Sequence, residues 1–426
     1  MNKNIKLAVA GAVLALSASA ANAGIIIPAG EWTIDINGNV NGFMSQTRAD
    51  NTRGTAVNSS DGTTSTFVNG GLAYEGHRVA SGSTTGTNPT KQIGLTTGLL
   101  PAWLGFTGKT RQNDLDVEFT ISLQPQISDN GVTGDGAVPA SSTSQFLNRQ
   151  TYLSFGDKSW GSIKIGKDLG VFASDAILND MTLLGVGSGG SISGSGDNTT
   201  LGGIGTGYIY AAWKGQVAYT TPNFNGFQAT VALTNPNQIG NGLAANSFNQ
   251  DRFGMEGKAS YSFAGDALTG KVWVSGATYD VTSSATQNYT VTAGDVGVNL
   301  NANGLGVTGY YYKGEGAGST FLGFNGFNAT TGQKRDSEGG YVQLTYVLPT
   351  KTKIGASYGE SKLDGVSAAD LTSNLLRSNE RYTVGAYHPL TKHLNLVAEY
   401  SNTESKAQNG NKAESDTVSA GAILFF

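Results

Sequence analysis

The chain has 426 residues, 61 of them glycine and none cysteine, with 14% charged residues and a formal charge of −4 spread along its length. That balance excludes the clustered basic face that nucleic-acid binding requires. The missing cysteine excludes disulfide staples, thiolate catalysis and Cys-ligated metals, so a large core or a closed sheet must hold the chain together.

In chain order, the first element is a leader. Lys3 and Lys6 precede an apolar run from Leu7 to Ala20, and Ala21-Asn22-Ala23 gives an A-x-A cleavage site before Gly24. A positive start, a short apolar stretch and small residues at the cut describe a secretory signal, too short to span a bilayer. Residues 1–23 are therefore expected to be removed on export, leaving 24–426 as one domain. Losing Lys3 and Lys6 takes the charge from −4 to −6. No later stretch is long and apolar enough for a transmembrane helix.

Next come strands with strict alternation. Trp32, Ile34, Ile36, Val40 and Met44 share one face, while Thr33, Asp35, Asn37, Asn39 and Asn41 share the other. Successive side chains on a strand point to opposite faces, so each such segment has an apolar side and a polar side. The pattern recurs in Leu115, Val117, Phe119, Ile121 and Leu123 against Asp116, Glu118, Thr120 and Ser122. It returns at Phe227–Leu233, at Phe253–Phe263 and at Val342–Leu348, and ends with Val418, Ala420, Ala422, Leu424 and Phe426.

Two kinds of connection separate the strands. Residues 156–161, 221–226, 301–304, 349–352 and 389–392 are turn-like, whereas 48–65, 124–148, 168–213, 235–251, 314–336, 362–379 and 402–414 are long and rich in Gly, Ser and Asn. Short turns at one rim and long loops at the other mark a transmembrane β-barrel, here of about sixteen strands. Strands of about ten residues suit a tilted crossing. Tyr219, Phe224, Phe227, Tyr346, Tyr387, Tyr400 and Phe426 read as an interfacial aromatic girdle. A soluble sandwich fits less well, because an open sheet in lipid cannot satisfy its edges.

Four passages carry a resemblance to a known family. They are Arg149 to Lys167 with Gly166-Lys167 at its end, Ala218 to Phe227 with Tyr219 and Pro222, Tyr387 to Lys392 with Tyr400, and the terminal Phe426. In order along the chain they resemble the Gram-negative general porins, which are trimeric, sixteen-stranded channels of the outer membrane. The resemblance implies a third loop, 168–213, folded into the barrel with Asp168, Asp175, Asp180 and Asp197 as an acidic rim. It implies a facing wall that includes Lys164 and Lys167. Two wall positions depart from the family: Trp103 stands where Arg is expected and Asn39 where Lys is expected. A wall with fewer basic residues predicts only weak ion selectivity, leaning towards cations. The implied partners are two further copies of the chain, outer-membrane lipid and lipopolysaccharide, the barrel-assembly machinery that reads Phe426, and small hydrophilic solutes and ions.

Catalytic chemistry finds no support. His77, His388 and His393 offer no Ser–His pairing, and Asp114, Asp116 and Glu118 read as lumen-facing acids. Gly187-Ser188-Gly189-Gly190 lacks the Lys-Ser/Thr of a phosphate loop, and no cofactor or metal is expected. Passive diffusion is the leading reading. A substrate-specific channel, for which Tyr310 and Tyr312 are candidate lumen aromatics, and an adhesive surface role stay open beside it.

Overall fold

The computed structural model describes residues 24–49, 68–74, 91–125, 127, 147–189, 199–235, 252–284, 287–328 and 330–426. The leader, His77 and Asp197 lie outside them. The strands are β1 (Ile25–Ala29), β2 (Trp32–Ala49), β3 (Lys91–Thr96), β4 (Trp103–Gln112), β5 (Leu115–Gln124) and β6 (Leu147–Asp157). There follow β7 (Gly161–Leu169), β8 (Trp213–Thr220), β9 (Phe227–Thr234), β10 (Gly254–Ala264), β11 (Thr269–Ser284) and β12 (Gln287–Ala302). The last are β13 (Leu305–Glu315), β14 (Asp336–Val347), β15 (Lys353–Leu363), β16 (Leu376–Pro389), β17 (Leu394–Ala407) and β18 (Lys412–Phe425).

Every pairing is antiparallel between chain neighbours until β18 returns to β2, with Ser415 opposite Ala49 and Phe425 opposite Asn39. Along its upper part β2 pairs with β3 and along its lower part with β4, so those two form a single interrupted stave. With β2 and β5 to β18, the circuit closes on sixteen staves, as the alternation implied. Closure leaves no sheet edge to face lipid. The lower end of β2, which β18 does not reach, is covered by β1 in a hairpin that pairs Ile25 with Ile36. No helix among the described residues is long and apolar enough to cross a membrane; the strands do that.

Local chemistry explains the sharp rim. Asn113-Asp114 and Asn303-Gly304 take positive φ at both turn positions, the mirror-image geometry that matches strand twist. Asp114 is therefore a turn residue, not a lumen acid. On the outer face Met44, Ile121, Leu153, Val231, Val274, Val342 and Val418 are exposed. In water such a belt would be a liability; in hydrocarbon it is the required surface.

Aromatics border this belt at both rims. Tyr219, Phe224, Phe227 and Tyr346 stand near the short turns. Towards the long loops, Tyr311, Tyr358 and Tyr400 donate their hydroxyls to Glu338, Glu360's neighbouring-strand carboxylate Glu380, and Asp416, at 2.9, 3.2 and 2.6 Å. Tyr400 thus belongs to the second girdle. Tyr387 leaves the girdle altogether: it pairs opposite Lys353 and Val397, shares the inward parity of Arg381 and Thr383, and is buried.

The core lies inside the barrel and on one half of it. Between β7 and β8 the chain enters the lumen as α1 (Ser174–Asn179) and a 3-10 turn (Met181–Leu184). Phe172, Ala176, Ile177, Tyr208 and Ile209 of this loop pack with Trp273, Tyr279, Tyr310, Tyr312 and Tyr341 of the wall. Burying a side chain such as Phe172 or Ile177 contributes about 2 kcal/mol, close to the backbone entropy lost per ordered residue. Apolar packing alone therefore leaves the loop's position undecided, and polar contacts settle it.

Candidate functional site

The inserted loop is fastened at four places, each built around a buried carboxylate. At its base, Glu256 on β10 accepts the amides of Val171 and Phe172 at 2.6 and 2.9 Å, and it also pairs with Lys214 and the Tyr279 hydroxyl. On α1, Asp175 pairs with Lys258 at 3.0 Å and with Lys271, from β10 and β11. Ahead of the 3-10 turn, Asp180 accepts from Thr182 N at 2.9 Å and from the Tyr208 hydroxyl at 2.8 Å, with Arg381 of β16 at 3.8 Å. At the far end, Glu399 on β17 accepts both the Val186 and Gly187 amides at 2.8 Å and the Tyr387 hydroxyl at 2.6 Å.

Between these points Gln343 donates to Asn179 O at 3.1 Å and accepts from Met181 N at 2.6 Å, while Tyr341 donates to Ala176 O at 2.8 Å. Leu99 and Leu100, in the gap between β3 and β4, donate to Gly185 O and Leu183 O at 2.9 and 3.2 Å. The loop therefore crosses from β7 to β2 along the β10–β17 half.

Its consequence is an asymmetric lumen. Inward residues behind the loop are dry: Glu256, Arg381 and Glu399 are 3–4% exposed. Higher up β4 and β5 the inward Thr107, Thr120 and Ser122 are also buried, but towards the short turns the charged inward residues stay wet, with the side chains of Lys109, Arg111 and Asp116 about half exposed, at 58%, 48% and 56%. This open wall carries paired charges of alternating sign. Arg111 donates to Asp116 at 2.7 Å and to Asp157 at 2.9 Å. Lys109 lies 3.4 Å from Glu118, and Tyr152 donates to Glu118 at 3.3 Å. Higher up, Lys164 sits over the Tyr152 ring, 4.7 Å from its centroid, and pairs with Asp168, which also accepts from Gln150 at 3.1 Å. At the short-turn mouth the wall frames a cavity of about 800 Å³ lined by Lys109, Arg111, Asp116, Glu118, Asp157 and Asn223.

Several sequence expectations are corrected here. Asp175 and Asp180 do not form an acidic rim; they point behind the loop, where cations neutralise them. Asp168 is on β7 itself, on the open wall, not in the loop. Lys164 does line that wall. Lys167 does not, because it shares parity with Ile163 and Ile165, faces outward, and donates to Asn148 O at 2.8 Å. Asn39 faces inward but is fully buried, donating to Pro101 O at 2.9 Å. Trp103 leans its edge on Phe425, with ring centroids 6.3 Å apart, and donates to Asn37 at 3.3 Å. Tyr310 and Tyr312 face inward yet lie under the loop, out of reach of a solute. Phe426 ends the chain in a two-way amide exchange with Gly38, at 2.8 and 3.0 Å.

Lys109, Arg111 and Tyr152 are wall residues the sequence reading misses, though parity with Thr107 and Thr120 marks them, while Asp116 and Glu118 face the lumen as the alternation predicts. Glu256 and Glu399 carried no sequence signal as fastenings. Among the described residues no group of His, Cys, Asp or Glu is arranged to hold a metal.

Comparison with known proteins agrees with this geometry. A family model described as Gram-negative porin matches residues 10–408. Among solved structures, the outer membrane channel DcaP of Acinetobacter baumannii superposes with a TM-score of 0.65 at 16% identity, covering 95% of this chain and 100% of that one. Salmonella typhi OmpF, solved with daunomycin, gives 0.54 at 14% identity, covering 94% and 100%. The trimer form of Vibrio cholerae OmpT gives 0.52 at 12% identity, covering 93% and 99%. No curated protein sequence matches the chain.

Proposed function

Because the chain belongs to the Gram-negative porin family and is an outer-membrane channel by family and fold, we propose that it works as a passive, water-filled pore for ions and small hydrophilic solutes, weakly favouring cations. The observation that carries this is the contrast across the lumen: one half is dry beneath the fastened loop, the other half is wet and charged. Solute passes along β4 to β9, between that wall and the loop.

The wall holds Lys109, Arg111 and Lys164 against Asp116, Glu118, Asp157 and Asp168. Glu31 and Lys158 line the same mouth, so four cations against five carboxylates leave a small negative excess, and charged linings set selectivity. Since Asp175 and Asp180 are neutralised behind the loop, their fields add little in the pore. The net preference is therefore slight.

The same reading has three copies of the chain associate, as in the trimer form of OmpT. It has residues 1–23 cleaved on export and Phe426 read during barrel assembly in a membrane of lipid and lipopolysaccharide. Planar-bilayer recording of purified, unheated protein in a potassium chloride gradient tests the pore. Expected are steps that close in thirds and a reversal potential giving a cation preference of about two- to fourfold. A strong anion preference would overturn the wall assignment. Folded protein that gives no steps would overturn the channel itself and favour an adhesive or structural role.

A further inference from the structure

The charges on the open wall are not merely few; they are arranged in pairs. Going up from the short-turn mouth, Arg111 stands between Asp116 and Asp157, Lys109 stands against Glu118, and Lys164 stands against Asp168. Cations and carboxylates thus run side by side on β4, β5 and β7, and the lowest pairs line the cavity at the mouth.

A mono-ion moving along such a wall gains little, because each attractive group has a repulsive one within a few ångströms. A zwitterion has no such conflict: its ammonium can face a carboxylate while its carboxylate faces the neighbouring cation. Opening the wall pairs to admit it is cheap, since exposed ion pairs contribute little to stability. Lys109 and Glu118, 3.4 Å apart with side chains 58% and 29% exposed, are the loosest pair and stand just above the Arg111 pairs of the mouth.

From this arrangement we propose that the channel favours small zwitterionic solutes of the α-amino-acid type over singly charged solutes of equal size, with Lys109 and Glu118 as the specificity-determining pair. The inference rests on the porin reading above and names the solute class that reading left open.

The test is swelling of proteoliposomes carrying the full trimeric protein, with L-alanine, lactate and 1-amino-2-propanol as size-matched probes and erythritol as the neutral reference. Alanine is expected to enter about threefold faster than either mono-ion, after correction to erythritol. The double variant Lys109→Gln, Glu118→Gln should bring the three rates together when each is expressed relative to that variant's own erythritol entry. A second double variant, Lys109→Glu with Glu118→Lys, exchanges the pair's charges and should retain the alanine preference, which separates pairing from mere net charge. Equal rates in the unaltered protein, or an order that follows one sign of charge, would overturn the proposal while leaving the pore intact. Failure of erythritol to enter would instead overturn the pore reading.

Discussion

Glu256 shows how much rests on single side chains in this lumen. Its carboxylate satisfies two loop amides, a tyrosine hydroxyl and the ammonium of Lys214, all buried. Removing one member of a buried pair costs about 3–5 kcal/mol, because the remaining charge is left without a partner. Glu256→Gln is therefore expected to free the base of the loop. Amide exchange at Val171 and Phe172 should accelerate about 100-fold, with a rise in single-channel conductance and noise. Unchanged exchange at those amides would show that apolar packing alone holds the loop. Lys164 and Lys167 make the complementary point. Strand parity on β7 decides that the first faces the lumen and the second does not.

At the level of elements, the loops of the outer rim are joined to one another as well as to the wall. Arg335, just before β14, donates to Asp370 at 2.8 and 2.7 Å, and to Asn325 O and Phe327 O. Asp370 belongs to α2 (Ala368–Leu371), and Asn328 bridges the same two loops by donating to Asp370 at 3.0 Å and Ser367 at 3.1 Å. The Arg335 guanidinium holds the Asp370 carboxyl below its ordinary pKa, against the opposing effect of burial. A carboxyl with a lowered folded pKa contributes stability that is present above its unfolded value, about 3.9, and lost as pH falls through the folded one. Protection of the amides of 325–328 and 330–335 should thus persist to about pH 4 and fail only in stronger acid. The variant Asp370→Asn should lose it at neutral pH. If protection declined between pH 7 and pH 5, a different group would be in control.

Strand parity was the most legible part of the sequence for the same physical reason. Leu115, Val117, Phe119, Ile121 and Leu123 must all meet lipid once one of them does, so the pattern reports a face directly. The course of the third loop is decided by contacts between residues far apart in sequence, such as Asp175 with Lys271 and Val186 with Glu399. An Asp in a glycine-rich loop looks the same in sequence whether it faces water or a buried lysine. Hence Asp175 and Asp180 read as rim acids, and Tyr387 read as a girdle residue although its hydroxyl serves Glu399.

The whole molecule depends on a seam that joins its two ends. Gly38 and Phe426 exchange both amide bonds there, and a Cβ at Gly38 would overlap the Trp103 carbonyl and come within 2.8 Å of the Phe426 ring. Gly38→Val is expected to lower the yield of closed barrel. The measurement is the fraction of protein that migrates as a compact, heat-sensitive species in detergent gels, which should fall severalfold. A normal fraction would mean that the seam tolerates displacement and that closure depends on the longer β2–β18 register above it.

The four carboxylate fastenings also impose an order on maturation. Each joins the third loop to strands made later in the chain, and Glu399 is followed by only 27 residues. The loop's far end, Val186 and Gly187, has no carboxylate to dock on until β17 is in place, so the last part of the narrowing is among the last features to form. A barrel halted before that point would be a wide hole in a permeability barrier. Building the plug's anchor into the final strands makes completion of the wall and restriction of the pore nearly the same event, which limits the time a cell spends with a leaking envelope.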